Sequence, residues 1–301
     1  MNGILNLLKP AGMTSHDCVA VIRRMAGQRK VGHTGTLDPN ACGVLPLCLG
    51  QATRLIEYMD RSEKIYRCEA LLGLQTDTQD IWGTVFKDER KSLPTVSEKE
   101  ILNVLSLFIG QITQIPPAYS AVKVNGRRMY SYARAGVDVE AAARRITIHD
   151  LRLLRYDQRA GRILFEIRCS EGTYVRTICN DMGQMLGTGA CMSFLLRTKS
   201  SGLDLETALT LEELGEMDVA RFAEALLPPE AGLKGLRRLF LDHRRAELFL
   251  NGNKTFAAGL SEPVSAERER DGIHAVYHKD QLLGVALYTP EKGYQVRKVL
   301  K

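Results

Sequence analysis

The chain has 301 residues, 45% apolar and 25% charged, with 41 Lys and Arg against 35 Asp and Glu for a net charge of +6. That composition fits a soluble protein with room for a large domain and a small one, and it excludes wholesale disorder. No apolar run reaches the roughly 18 residues of a membrane span, and Met1–Lys9 lacks the basic start and long apolar core of a signal peptide. A cytoplasmic protein with no membrane partner is expected.

Seven cysteines, an odd number without a Cys-x-x-Cys pair, read as reduced and mostly buried thiols and not as a zinc site. Charge is unevenly spread. Lys123 to Arg168 holds eleven Lys or Arg against five acids, whereas Asp204 to Glu230 holds eight acids against one Arg. One surface suited to phosphate and another that repels it follow from this asymmetry.

Asn6 to Lys9 reads as a short strand that turns through Pro10 and Gly12 into a helix capped by Thr14 or Ser15, with Cys18, Val19, Ile22 and Met25 at helical spacing and Gly27 as its stop. The stretch from Gly32 to Arg54 is rich in glycine and small polar residues around one carboxylate, Asp38, and reads as a loop shaped by its backbone. Pro39 pushes Asp38 out of the helical region, so the acid is held in an extended or turn conformation. A plain Asp-Pro turn is the simpler reading of those two residues alone. Ala52, Leu55, Ile56 and Met59 form a short helical stripe.

Lys64 to Gly73 is a strand that displays Tyr66 on one face; on pattern alone this tyrosine belongs to the core, with its hydroxyl at the rim. Asp77-Thr78-Gln79-Asp80 with Gly83 is a polar turn before a strand at Thr84 to Lys87, and two acids with no third partner do not make a metal site. Thr95-Val96-Ser97-Glu98 reads as a capping box for a helix carrying Ile101, Leu102, Leu105 and Phe108 and ended by Gly110.

From Pro116 the texture changes. Asn125-Gly126 signals a type I′ hairpin, and Lys123, Arg127, Arg128 and Tyr130 crowd around it. Cations interleaved with aromatic rings suit a single-stranded or looped RNA, the cations meeting phosphates and the rings meeting bases. Strands are expected at Arg144 to Tyr156 and Arg162 to Cys169, in a half-buried and largely antiparallel sheet. Gly172 permits a turn, Tyr174 and Arg176 lie on an extended entry, and Ile178 onward is helical. A cation at a helix start is electrostatically poor, so Arg176 demands a carboxylate partner. A helix begins near Thr210, Pro228-Pro229 marks a boundary, and a helix at Asp242 to Leu250 precedes three strands, 273–278, 282–288 and 294–299, that suit a small barrel.

Several of these stretches resemble the TruB family of tRNA pseudouridine synthases. Gly32-His33-Thr34-Gly35-Thr36-Leu37-Asp38-Pro39-Asn40-Ala41-Cys42-Gly43-Val44-Leu45-Pro46, with Gly50-Gln51-Ala52-Thr53-Arg54, follows its signature closely in sequence and spacing. So do Lys9-Pro10-Ala11-Gly12-Met13-Thr14-Ser15, Lys64-Ile65-Tyr66, Pro116-Pro117-Ala118-Tyr119-Ser120-Ala121 with Lys123, Gly126, Arg128 and Tyr130, and Cys169-Ser170-Glu171-Gly172-Thr173-Tyr174-Val175-Arg176 through Asp181 and Gly183. Phe194-Leu195-Leu196-Arg197 matches less well, since Leu196 stands where the family has an arginine.

The resemblance implies an α+β fold: a large mixed, mainly antiparallel sheet flanked by helices, with a small C-terminal β-rich module of the PUA type. It implies a catalytic domain over 1–229, an RNA-gripping insertion at about 115–145, and a PUA-like RNA-binding domain over 230–301. The activity implied is isomerisation of uridine to pseudouridine at position 55 in the T-loop of tRNA, by base flipping and an aspartate nucleophile, with no cofactor and no metal. Asp38 would be the nucleophile, Arg176 its guanidinium partner and Tyr66 the ring that stacks on the flipped uracil. His33, Tyr174 and Leu195 would contact the substrate, and Lys123, Arg127, Arg128 and Tyr130 the RNA. The partner implied is the tRNA T stem-loop, bound by a monomer without an obligatory protein partner. A guide-dependent or rRNA-acting relative and an RNA chaperone without chemistry are the rival readings. A phosphate-binding nucleotide loop is disfavoured, because Gly32 to Thr36 lacks the Gly-Lys-Ser/Thr ending.

Overall fold

Leu5, Leu7, Leu45, Leu47 and Leu49 share one side of the first strands and Ile4, Val44 and Cys48 the other, the period-two division of a sheet covered on both faces. In the computed structural model, which describes residues 1–60, 63–137, 139, 141–257 and 272–300, these side chains lie on β1 (Gly3–Lys9) and β3 (Cys42–Leu49). The two pair antiparallel from Gly3 opposite Leu49 to Lys9 opposite Gly43, and β2 (Val31–His33) pairs with the other edge of β3. Helix α1 (Ser15–Met25) packs Cys18, Val19 and Ile22 on the leucine side, and Thr14 and Asp17 close a capping box at its start.

This corrects the loop expected from Gly32 to Arg54. Its second half, Val44 to Leu49, is a wholly buried strand, as a continuous apolar run allows, and the true loop is only 34–41. The helical stripe that follows is a 3₁₀ helix, Gly50–Tyr58.

The chain packs as two compact units, one of residues 1–60 with 201–301 and one of 61–200. The second unit has a five-stranded antiparallel sheet. It is built from β4 (Lys64–Leu72), β7 (Gly110–Gln114), β10 (Arg144–Asp157), β11 (Arg162–Cys169) and β12 (Ala190–Ser200), in the order β12-β4-β11-β10-β7. The hairpin β5 (Leu74–Thr76) and β6 (Val85–Asp88) follows β4, and the short hairpin β8 (Lys123–Val124) and β9 (Arg127–Arg128) precedes α3 (Met129–Arg134). Helices α2 (Glu98–Leu107) and α4 (Val175–Met185) pack on the sheet.

The cap of α2 is Ser97 with Glu100, two residues later than the sequence pattern suggests. On the opposite face of the sheet Arg67 and Arg152 meet Glu166, Arg162 meets Glu69, and Arg168 meets Glu63. Part of the positive excess counted between Lys123 and Arg168 is therefore neutralised by cross-strand pairs. Residues 138 and 140 of the expected insertion lie outside the described residues.

In the first unit, β13 (Leu203–Asp204), α5 (Leu211–Gly215) and α6 (Val219–Glu224) follow, and Leu214 and Phe222 join the core beneath α1. The C-terminal stretch carries β14 (Arg237–Phe240), α7 (His243–Leu250), β15 (Ile273–His278), β16 (Gln281–Thr289) and β17 (Gly293–Val299), in the sheet order β14-β15-β16-β17. Phe249 and Phe256 fill its core, and Lys298 reaches Glu57 at 2.7 Å. The architecture is α+β, with a mixed, mainly antiparallel sheet flanked by helices and a strand-rich C-terminal part. No described helix is long and apolar enough to cross a membrane.

Candidate active site

Asp38 sits half-buried in the 34–41 loop of the first unit. The turn around it is closed by backbone, with the Ala41 N–H donating to the Asp38 carbonyl at 3.1 Å. Its shape is fixed from below by Lys9. Lys9 is fully buried, and its ammonium donates to the carbonyls of Pro10, Pro39 and Ala41 at 2.8, 2.9 and 2.7 Å. Three donors thus meet three carbonyls, two of them flanking the turn.

Ser15 grips the other side. Its hydroxyl accepts from the Leu37 N–H at 3.0 Å and donates to the Leu37 carbonyl at 3.3 Å, while the Gly12 N–H donates to the Pro39 carbonyl at 2.9 Å. A carboxylate on so constrained a backbone is preorganised, which catalysis requires and a casual surface turn does not. His33 ends β2 opposite Leu47, half-buried, its ring edge-on to His16 at 5.2 Å. Burial pushes the nearby Cys42 thiol up, and the Lys9 charge works against that shift.

In the second unit Tyr66 stands on β4 with 7% exposure, and its neighbours across the ladder are Arg197 on β12 and Ile167 on β11. Leu195, opposite Cys68, lies two residues before Arg197 on the same strand and is buried. Arg176 is helical, in the first turn of α4, and not on an extended entry. Nor is it a surface cation: it is 4% exposed. Its guanidinium donates to the Thr78 carbonyl at 2.9 Å and the Tyr119 carbonyl at 3.0 Å, with the Asp80 carboxylate at 3.7 Å.

Asp80 is itself fixed by the Thr78 hydroxyl at 2.7 Å and the Trp82 N–H at 3.1 Å. A side chain at Gly83 would put its Cβ 2.1 Å from Thr78 Oγ1, so this tight turn needs glycine there. The turn that is weak as a metal motif is thus a socket for Arg176. Sequence reasoning missed Asp80 in that role, because nothing local relates Asp80 to a helix almost a hundred residues away. Tyr174 caps α4; its N–H donates to Gln114 Oε1 at 2.8 Å, its carbonyl accepts from Gln114 Nε2 at 3.1 Å, and Arg144 lies over its ring at 5.7 Å.

Of the RNA candidates, Lys123, Arg127 and Arg128 stand on the β8–β9 hairpin and Tyr130 in the first turn of α3. Asn125 and Gly126 have φ of 50° and 79°, as the I′ turn demands. Lys123, Arg127 and Arg128 are exposed, and Arg128 and Arg134 lie 5.9 and 5.5 Å from the half-buried Tyr130 ring. The structure therefore groups Tyr66, Leu195 and Arg197 on adjacent strands and Tyr174 with Arg176 at the start of α4, all in the second unit, while Asp38 and His33 belong to the first.

A profile described as TruB family pseudouridylate synthase (N terminal domain) matches residues 23–175, and one described as tRNA pseudouridylate synthase B C-terminal domain matches 176–234. The tRNA pseudouridine synthase B of Alkaliphilus oremlandii is 44% identical over 271 residues, covering 89% of this chain and 88% of its own. That of Clostridium tetani is 39% identical over 300 residues, with 100% of both chains covered. A chain in the crystal structure of a Cbf5-Nop10-Gar1 complex superposes with a TM-score of 0.75 at 28% identity, over 99% of this chain and 84% of that one. With profiles spanning 23–234 and relatives matched over nearly their full length, the chain belongs to the TruB family of pseudouridylate synthases.

Proposed function

We propose that this protein converts uridine to pseudouridine in tRNA, at position 55 of the T-loop, with Asp38 as nucleophile toward a base drawn out of its stack. The relatives named above carry that activity on tRNA in their names. The reaction breaks the N1–C1′ bond, turns the uracil and rejoins it through C5; the C5 proton is lost and N1 gains one, so no cofactor or metal is needed. Attack at C6, attack at C1′ and assisted elimination to a glycal all start from one ionised carboxylate. The observation that carries the reading is the clamp of Lys9, Ser15 and Gly12 on the Asp38 turn, which presets the backbone bearing that carboxylate.

In this reading Arg176, immobilised by Thr78, Tyr119 and Asp80, serves as the counter-ion that keeps Asp38 ionised. Tyr66 receives the extruded uracil on its ring, an interaction worth about 1–3 kcal/mol, and removes the C5 proton. Leu195 borders the base, and His33 and Tyr174 hold the flanking RNA. Lys123, Arg127, Arg128 and Tyr130 grip the stem-loop. Residues 1–229 act as the catalytic part and 230–301 as a PUA-like RNA-binding part, in a cytoplasmic monomer that works on tRNA without a guide or an obligatory protein partner.

The test uses unmodified tRNA, and a bare T stem-loop, tritiated at uracil C5. Tritium release by the natural protein from both, abolished in Asp38→Asn with tRNA binding retained, is the expected result. Undiminished release by Asp38→Asn removes the nucleophile assignment. Release only in the presence of a guide RNA points instead to a guide-dependent enzyme, and binding with no release at all to a chaperone.

A further inference from the structure

Among the described residues Arg197 heads the fully buried side chains by volume, with 0% exposure. A guanidinium does not shed its charge at ordinary pH, and a buried cation costs several kcal/mol unless paired and hydrogen-bonded. The register places it directly across the β12–β4 ladder from Tyr66, so both side chains leave the sheet on one face, and its guanidinium is hydrogen-bonded to the Tyr66 side chain. Burial pulls the Arg197 pKa down, and the Tyr66 hydroxyl holds it up.

Of the other titratable groups on these strands and on α4, Lys64, Cys68 and Cys169 share the Tyr66 face of the sheet, Arg176, Cys179 and the half-buried Asp181 lie on α4, and the acids Glu69 and Glu166 are paired with arginines on the opposite face. Burial raises Cys68 well above the ordinary thiol value and Cys169 to about 11, so these two thiols stay neutral. Burial likewise raises the Asp181 carboxyl, and among these groups Arg197 is the cation bonded to the tyrosine.

We propose that Arg197 is a positioning residue for the isomerisation, holding the Tyr66 hydroxyl in place and favouring its phenolate as the base that takes the C5 proton. This rests on the reading of Tyr66 as that base, and it supplies what the reading lacks, since an ordinary tyrosine with a pKa near 10 is a poor base at neutral pH. The step balances. The phenolate oxygen forms a bond to the C5 proton and the C–H electron pair restores the C5–C6 double bond, while the C6–N1 π pair moves onto N1, which takes a proton from water, or, after attack at C6, the bond from C6 to the Asp38 oxygen breaks and its pair returns to the carboxylate; the neutral phenol gives its proton to water before the next turnover. Arg197 keeps its charge throughout.

The experiment measures single-turnover pseudouridine formation against pH for the natural protein, Arg197→Lys, Arg197→Met and Tyr66→Phe, with tRNA affinity and thermal unfolding alongside. Arg197→Met is expected to lose on the order of 10²-fold in rate near neutral pH with tRNA affinity kept, its rate climbing at higher pH than the natural protein's. Arg197→Lys recovers most of the rate. Placing 3-fluorotyrosine, a more acidic phenol, at position 66 of Arg197→Met restores activity toward neutral pH. A loss equal at every pH, or no fluorotyrosine rescue, overturns the proposal and leaves Arg197 a packing residue. An active Tyr66→Phe overturns the Tyr66 reading itself, whereas an inactive Tyr66→Phe beside an unshifted Arg197→Met profile removes only the role of Arg197. Should Arg197→Met fail to fold, a carbon-13 tyrosine NMR titration of the natural protein decides: a Tyr66 ring titrating below the ordinary tyrosine value supports the proposal, and one at or above it defeats it.

Discussion

Two sets of cations in this protein differ in what surrounds them and hardly at all in chemistry. Lys9, Arg176 and Arg197 are 0%, 4% and 0% exposed, each bound to carbonyls, a carboxylate or a hydroxyl at fixed geometry. Lys123, Arg127 and Arg128 stand in solvent on a two-residue hairpin, and tyrosine rings lie beside the two arginines. A buried cation acts through position: it sets a loop, a guanidinium or a hydroxyl to within a fraction of an ångström. An exposed one acts through its field and through phosphate, is screened by salt, and tolerates motion.

The comparison predicts effects of different kinds. The largest is at Lys9. Lys9→Met leaves the carbonyls of Pro10 and Ala41 without the ammonium, while that of Pro39 keeps the Gly12 N–H, and at about 1–3 kcal/mol per unsatisfied buried group the loss of stability amounts to a few kcal/mol. Denaturant unfolding checks this, and a loss below about 1 kcal/mol would show that the Asp38 loop is held by its glycines and Ser15 instead. Next comes Asp80→Asn, which keeps the volume and the Thr78 hydrogen bond but removes the charge beside Arg176. A misplaced guanidinium costs on the order of 10²-fold in kcat with KM little changed, measured by steady-state tritium release. Third, Arg127→Ala with Arg128→Ala leaves kcat at saturating tRNA intact, raises KM, and lowers the slope of log affinity against log salt by about one for each phosphate no longer neutralised. A drop in kcat for the hairpin pair, or in affinity alone for Asp80→Asn, would erase the distinction.

The sequence is legible wherever an element is written in a continuous run. The Asn125-Gly126 turn, the strands at 162–169 and 273–299 and the helix that ends at Leu250 stand where local pattern puts them. It is illegible wherever a role depends on register or on distant backbone. Val44 to Leu49 reads as loop because glycine and proline surround it, yet pairing on both edges makes it a central strand. Arg176 is readable as a cation needing a partner; that Asp80 and two carbonyls from other segments supply a socket is not. Arg197 sits in the segment that departs from the family pattern, and only the β12–β4 register, with its irregularity between Met192 and Phe194, aligns it with Tyr66.

The smallest expected effect lies on the outer face of the same strands, where Lys199 donates to Glu63 at 3.0 Å and Arg168 lies 3.5 Å from it. The side chains of Lys199, Glu63 and Arg168 keep 38%, 28% and 47% exposure, so solvent screens the cluster and Lys199→Ala should cost no more than about 1 kcal/mol. The sign with pH is set by Glu63, whose carboxyl the Lys199 hydrogen bond holds below the usual range. A carboxyl with a lowered folded pKa stabilises the protein above its unfolded value, about 4.3, and loses that contribution as pH falls through the folded value. The difference in unfolding free energy between the natural protein and Lys199→Ala is therefore present near neutrality and vanishes in acid. A difference that persists below both values would belong to the packing of the lysine stem on β12 and not to its charge. The outer cations would then act through position as the buried ones do, and exposure alone would no longer separate the two sets.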